Sequence, residues 1–428
     1  MIPSTTGRRT VRFATKLIGW MQFAGVAALV SILVACGGGG GGDSGNSSSS
    51  GDGISSLPAG PTQQPIPAGA ANTVAITVDK GIGNLINIPT VSVTVCVPGT
   101  STCQTIDHVQ LDTGSYGLRV LNSALSAPLA SGLTPLTVNG SQQLAECTQF
   151  ADGFTWGTVR SADVIVGQKL ASGIPVQVIG DLTTVPAGCS GVPENTVAQL
   201  RVNGILGVGV APYDCGTVCQ NPAFSNYFGC INGSCSPVGV STSQQVANPV
   251  PKFTGDNNGL IVQLPPVPNT GAPSATGTLV FGIGTQSNNP LSAAQTFTSN
   301  AAGDLVNSTF NNKTVSALFD TGSNGYFFDD TSLAGCGSNE PGFYCPATAQ
   351  TRSATVRGSN SSTATVTMSI VSAATLVSNG SNYAFNTLAG PGINGTSVDF
   401  GLPFFFGRYV YYGMDQQASG GPAPFIAF

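Results

Sequence analysis

The chain has 428 residues, enough for two domains and a sizeable core. Only 8% of them are charged, against about a quarter in ordinary soluble domains, and the formal net charge of −5 gives no footprint for a nucleic-acid partner. One histidine in the whole sequence excludes zinc sites built on two or more imidazoles and leaves any Ser-His-Asp or Cys-His apparatus dependent on His108 alone.

The first 35 residues read as an address. Arg8, Arg9, Arg12 and Lys16 form a positive start, and Leu17 to Ala35 is apolar apart from Gln22 and Ser31. By length the run could also be an uncleaved anchor. It ends in Leu33-Val34-Ala35-Cys36, which resembles the lipobox of bacterial lipoproteins and implies lipidation of Cys36 with cleavage before it. Gly37 at the next position favours outer-membrane sorting in a Gram-negative host. The expected location is therefore the cell envelope, with a lipid anchor in the membrane. Residues 36–72, rich in Gly, Ser and Pro, read as a disordered tether.

Strands begin at Thr73. Val74–Val78, Val91–Val97 and Thr105–Leu111 carry β-branched residues, and Val91-Ser92-Val93-Thr94-Val95 alternates with period two. His108 lies on the third of these as an ordinary strand side chain. Short helices are expected near Asn122–Ala127 and Leu291–Ala294, and the rest is mostly β.

The third strand runs into Asp112-Thr113-Gly114-Ser115. The same four residues recur as Asp320-Thr321-Gly322-Ser323, again after a strand-like run, Thr314–Phe319. Asp-Thr-Gly-Ser breaks a strand into a turn and leaves a carboxylate at its end, ringed by hydroxyls and backbone N–H groups. One copy is common turn chemistry. Two matched copies indicate a duplicated unit whose loops face each other. Facing carboxylates share a proton, because both cannot ionise cheaply at close range. The ionised one can activate water while the protonated one polarises a carbonyl, with no metal and no cofactor.

Of 11 cysteines, ten remain once Cys36 is set aside, an even number suited to an oxidising compartment. Cys96 and Cys103 flank a Pro-Gly turn, and Cys336 and Cys345 flank another Gly-containing loop; both pairs read as local staples. Cys147 and Cys189 pair by default. Cys215, Cys219, Cys230 and Cys235 form a cluster that reads as two disulfides, with a four-thiolate zinc knuckle as the alternative.

Further landmarks fit one order. Phe150-Ala151-Asp152-Gly153-Phe154-Thr155-Trp156-Gly157 is a hairpin-like stretch. Ile205-Leu206-Gly207 and Phe400-Gly401 put a Gly after apolar residues, Gly277 to Gly282 is strand-like, and Pro424-Phe425-Ile426-Ala427-Phe428 ends the chain. With the two Asp motifs, this order over residues 73–428 resembles the pepsin-type aspartic peptidases, and most closely bacterial lipoproteins of unassigned function with paired Asp-Thr-Gly motifs. The resemblance implies an all-β, bilobal acid-protease fold with a central cleft, an N-terminal lobe over 73–290 and a C-terminal lobe over 291–428. It implies a catalytic pair Asp112 and Asp320, interlocked through Thr113 and Thr321, oriented by Ser115 and Ser323 and permitted by Gly114 and Gly322. Phe150, Asp152, Gly153 and Trp156 would belong to a substrate-covering flap, in which Phe150 lacks the hydroxyl of the usual tyrosine. The implied function is a membrane-tethered endopeptidase acting on peptide or protein substrates; the sequence does not give its oligomeric state, and a monomer is the default expectation. The alternative is a catalytically weak or inactive lipoprotein of the same shape that binds peptides or an envelope partner.

Overall fold

The computed structural model describes residues 52–428 apart from 339 and 393–394. The N-terminal address, Cys36 and the first part of the tether lie outside the described residues. The described residues are all-β in character, and the helices among them are short. Among the described residues no helix is long and apolar enough to cross a membrane.

Two sheets carry the architecture, one of sixteen strands and one of seven. The strand Cys103–Asp112 runs parallel to Gly204–Val208 in the large sheet, and Tyr116–Leu121 packs antiparallel on the other side of that central strand. The same plan recurs in the small sheet. Lys313–Phe319 runs parallel to Ser397–Phe400, and Tyr326–Phe327 is antiparallel to it. In both, the chain loops over a central strand at a glycine. A Cβ on Gly207 would lie 2.5 Å from the Tyr116 nitrogen, and one on Gly401 would lie 2.5 Å from the Ser323 carbonyl oxygen. Only a residue without a side chain lets the strand pass so close beneath each loop.

The two halves are joined by neighbouring strands within the large sheet. Thr73–Val78 pairs with Ala275–Phe281, and Gly259–Leu264 pairs with both Ala275–Phe281 and Arg408–Gly413. Apolar side chains from each half support the Asp loops from below. Leu111, Leu118 and Leu206 are fully buried under the first loop, and Phe319, Phe400 and Phe404 stack under the second. Each such side chain contributes about 1.5–3 kcal/mol by leaving water.

All ten described cysteines are paired, as Cys96–Cys103, Cys147–Cys189, Cys215–Cys219, Cys230–Cys235 and Cys336–Cys345. The zinc knuckle is therefore ruled out.

Several expectations need correction. Residues 52–72 are not a free tether. Ile54 and Leu57 pack against the cluster of Phe327, Phe385 and Leu388. The Gln63 N–H donates to the Gly407 carbonyl at 3.0 Å, and the Ile66 N–H donates to Gln263 Oε1 at 2.9 Å. Ile54, Leu57 and Ile66 pack on the folded halves, and these hydrogen bonds hold the strap between them. Leu291–Ala294 forms no helix; it follows Pro290, and Ser292 instead bonds the Tyr411 hydroxyl. His108 is not an ordinary strand residue. Its φ of 55° falls where the pairing register shifts between Val91 and Val93, so it marks a β-bulge.

Candidate active site

Each Asp-Thr-Gly-Ser loop satisfies its own carboxylate first. Asp112 Oδ1 accepts from the Gly114 N–H at 2.8 Å and the Ser115 N–H at 3.1 Å, and its Oδ2 accepts from the Ser115 hydroxyl at 2.6 Å. Asp320 Oδ1 accepts from the Gly322 N–H at 2.7 Å, and its Oδ2 from the Ser323 hydroxyl at 2.9 Å. Asp112 thus receives three donors and Asp320 two.

The loops are then locked together by a reciprocal exchange. The Thr113 N–H donates to Thr321 Oγ1 at 3.1 Å, and the Thr321 N–H donates to Thr113 Oγ1 at 2.9 Å. Each threonine hydroxyl also donates across the boundary, Thr321 to the Leu111 carbonyl at 2.8 Å and Thr113 to the Phe319 carbonyl at 3.2 Å. A serine could make these bonds; threonine's methyl adds a stiff, preferred rotamer. The Tyr412 hydroxyl reinforces the joint, donating to the Phe319 carbonyl at 2.8 Å while lying 3.1 Å from Thr113 Oγ1.

This lock brings the carboxylates to one place. A Cβ on Gly114 would stand 2.6 Å from Asp320 Cγ. A Cβ on Gly322 would stand 2.7 Å from Asp112 Oδ1 and 3.0 Å from Asp320 Oδ1, so those two oxygens are separated by no more than the sum of these lengths. The glycine of each motif is therefore fixed by the aspartate of the other. Burial, the Asp112 charge and the Asp399 charge, in that order, hold the Asp320 carboxyl well above the usual range, against the Gly322 N–H, which lowers it. Both aspartates are almost fully buried, at 1% and 2% exposure.

The hairpin of the expected flap forms, but it is pinned. Gln142–Gln149 pairs with Phe154–Val166, and the Phe150 N–H closes the turn onto the Gly153 carbonyl at 2.7 Å. The segment 192–194 then binds the far side, with the Phe154 N–H to the Val192 carbonyl at 2.9 Å and the Glu194 N–H to the Phe154 carbonyl at 2.8 Å. Gly153 is required there, since a Cβ would meet the Val192 oxygen at 2.4 Å. Asp152 is half-buried at the tip of the turn. Phe150 is buried against Ile88, Leu121, Ile179 and Ile205, one strand position from the loop-supporting Leu206. Trp156 is the clear correction. It is fully buried against the Cys147–Cys189 disulfide and Phe228, in edge contact at 5.4 Å, with no face left for a substrate.

Four features of the site were not anticipated from sequence. Asp399, on the strand beneath the second loop, lies 2.6 Å from Ser323 Oγ. Tyr412 has the role described above. Asn87, fully buried, bridges the halves: its Nδ2 donates to the Asn324 and Phe385 carbonyls, each at 2.8 Å, and its Oδ1 accepts from the Phe385 N–H at 2.7 Å. On the strand that leaves the first loop, Arg119 pairs with Glu146 at 2.8 Å and Asp214 at 3.1 Å and donates to the Tyr116 carbonyl. Burial opposes its charge, but the two carboxylates outweigh that and raise its pKa, while burial and Glu146 hold the Asp214 carboxyl well up.

The fold and site thus define an all-β protein with two Asp-Thr-Gly-Ser turns interlocked across a pseudo-symmetric joint. By its match over residues 68–428, the chain belongs to the family described as "Protein of unknown function (DUF3443)". No curated protein matches it.

Proposed function

We propose that this protein is an aspartic endopeptidase of pepsin-like, bilobal architecture, hydrolysing peptide bonds by general acid–base activation of one water between Asp112 and Asp320. The observation that carries the reading is the reciprocal threonine exchange, which sets one carboxylate from each motif against the other. Asp112, with its three donors, takes the proton of the attacking water. Asp320, kept protonated by burial and by its neighbours, donates to the substrate carbonyl as charge develops there. The proton then passes to the leaving nitrogen, and no covalent intermediate forms.

The burial of both carboxylates favours a second reading, a catalytically weak or inactive protein of the same shape that binds a peptide or an envelope partner without cutting it. Incubation with an unstructured protein at acidic and neutral pH, with and without pepstatin, separates the two. The first reading expects pepstatin-sensitive cleavage that is lost in Asp112→Asn. The second expects retention of peptide without product. The proposed address is the cell envelope, with Cys36 as the lipidated anchor; metabolic lipid labelling of the wild type but not of Cys36→Ser is the expected result.

A further inference from the structure

The pseudo-symmetry of the two loops isolates one difference between them. In the first half, the residue two before the aspartate, Gln110, lies opposite Ile205; in the second, Leu318 lies opposite Asp399. An apolar strand position in one copy is thus a carboxylate in the other. Asp399 is buried, at 6% exposure, where an ionised carboxylate loses most of its hydration. Its Oδ2 is 2.6 Å from Ser323 Oγ, the same hydroxyl that lies 2.9 Å from Asp320 Oδ2. The matching Ser115 hydroxyl bonds only the Asp112 carboxylate among the described residues.

A hydroxyl has one hydrogen and can donate to one of these carboxyl oxygens only. The other contact is a hydrogen bond only when that carboxyl carries a proton and donates to the serine oxygen. We infer that Asp399 is a third carboxyl group of the site, sharing one proton with Asp320 through the Ser323 hydroxyl and so acting as a positioning residue for the acid member of the pair. The transfer balances within three groups. Asp399 gives its proton to Ser323 Oγ, Ser323 gives its own hydrogen to Asp320 Oδ2, and the serine ends as it began. The ionisable groups that act on this chain among the described residues are Asp320 and Asp399 at its ends and Asp112 across the joint; Tyr326 pairs with Phe400 rather than Asp399 and so lies on the other face of that strand.

The proton count does not need the peptidase reading, although its use in catalysis rests on it. The test is a carbon-13 carboxyl titration of aspartate-labelled full-length protein, wild type and Asp399→Asn, alongside the pH profile of any cleavage. The variant removes a like charge and leaves an amide that can donate to Ser323. The Asp320 midpoint therefore moves to lower pH, and the alkaline limb of activity moves with it. An unmoved Asp320 midpoint overturns the inference. Should Asp399→Asn fail to fold, the wild-type titration decides alone: coupled groups show each other's steps, so the Asp320 step must appear in the Asp399 resonance, and its absence is the overturning result. A shifted midpoint in a protein that cuts nothing leaves the inference standing and removes the peptidase reading. Cleavage abolished by Asp112→Asn with no shift in Asp399→Asn does the reverse.

Discussion

Gly114→Ala adds a single carbon where the site has room for none. The glycine is not in the left-handed region, so alanine brings no backbone strain and the test is purely steric. The new methyl would stand 2.6 Å from Asp320 Cγ and 2.7 Å from both of its oxygens. Carbon contacts relax at about 3.5–4.0 Å, so the Asp320 carboxylate must retreat by about 1 Å. Overpacking of this kind costs about 1–3 kcal/mol of stability. A reacting group misplaced by about 1 Å loses about 100-fold in rate, or ~3 kcal/mol of barrier. Denaturant unfolding and initial cleavage rates read the two effects separately. Gly322→Ala should behave alike, because its methyl would meet Asp112 at 2.7 Å, whereas Gly60→Ala meets nothing within 4 Å and should be silent. If Gly114→Ala unfolds at the wild-type midpoint and cuts at the wild-type rate, the two carboxylates do not occupy the space assigned to them.

Tyr412→Phe removes the hydroxyl that holds the Phe319 carbonyl and touches Thr113, and should cost about 1 kcal/mol in denaturant unfolding, with a lower cleavage rate. Replacing both Cys147 and Cys189 with Ala opens a closure spanning 42 residues, worth about 4 kcal/mol on the chain-entropy scale, and should lower the unfolding midpoint accordingly. The raised carboxyls of Asp320 and Asp214 bind protons in the folded state at pH values where the unfolded chain has released them. Their contribution is therefore complete below the ordinary carboxylate range and is lost as pH rises through their native values. Urea midpoints measured from about pH 4 to about pH 8 should fall, and Asp320→Asn should flatten that fall.

What the sequence revealed was what repeats and what is local. Two copies of Asp-Thr-Gly-Ser are a short-range pattern with a fixed geometric meaning, and the site is built on them; Gly207 and Gly401, each after apolar residues, are further local signals, and each passes close beneath one loop. Cys96 and Cys103 lie across one hairpin, so their pairing needed no knowledge of the fold. The remaining features depend on contacts between distant segments. Trp156 reads as a hairpin residue and turns inward only because the segment carrying Cys189 returns to cover it. Asn87 carries no local signal, because its partners Asn324 and Phe385 lie more than 200 positions away. Asp399 sits inside an apolar signature, where one acid looks like a strand's polar face until Ser323 is seen against it. The strap from 52 to 72 has a linker's composition, and its docking rests on Ile54, Leu57 and Ile66 finding grooves that only the folded halves provide.

The claim most exposed to test is that Asp112 and Asp320 act as one unit. Residual cleavage of an unstructured protein by Asp112→Asn, Asp320→Asn and the double variant, followed by mass spectrometry, measures this directly. Groups that work together are not additive, so all three variants should fall to the same floor, at least about 1,000-fold below wild type. Wild-type cleavage by either single variant, or losses that multiply in the double, would mean that the two turns do not form a common catalytic pair.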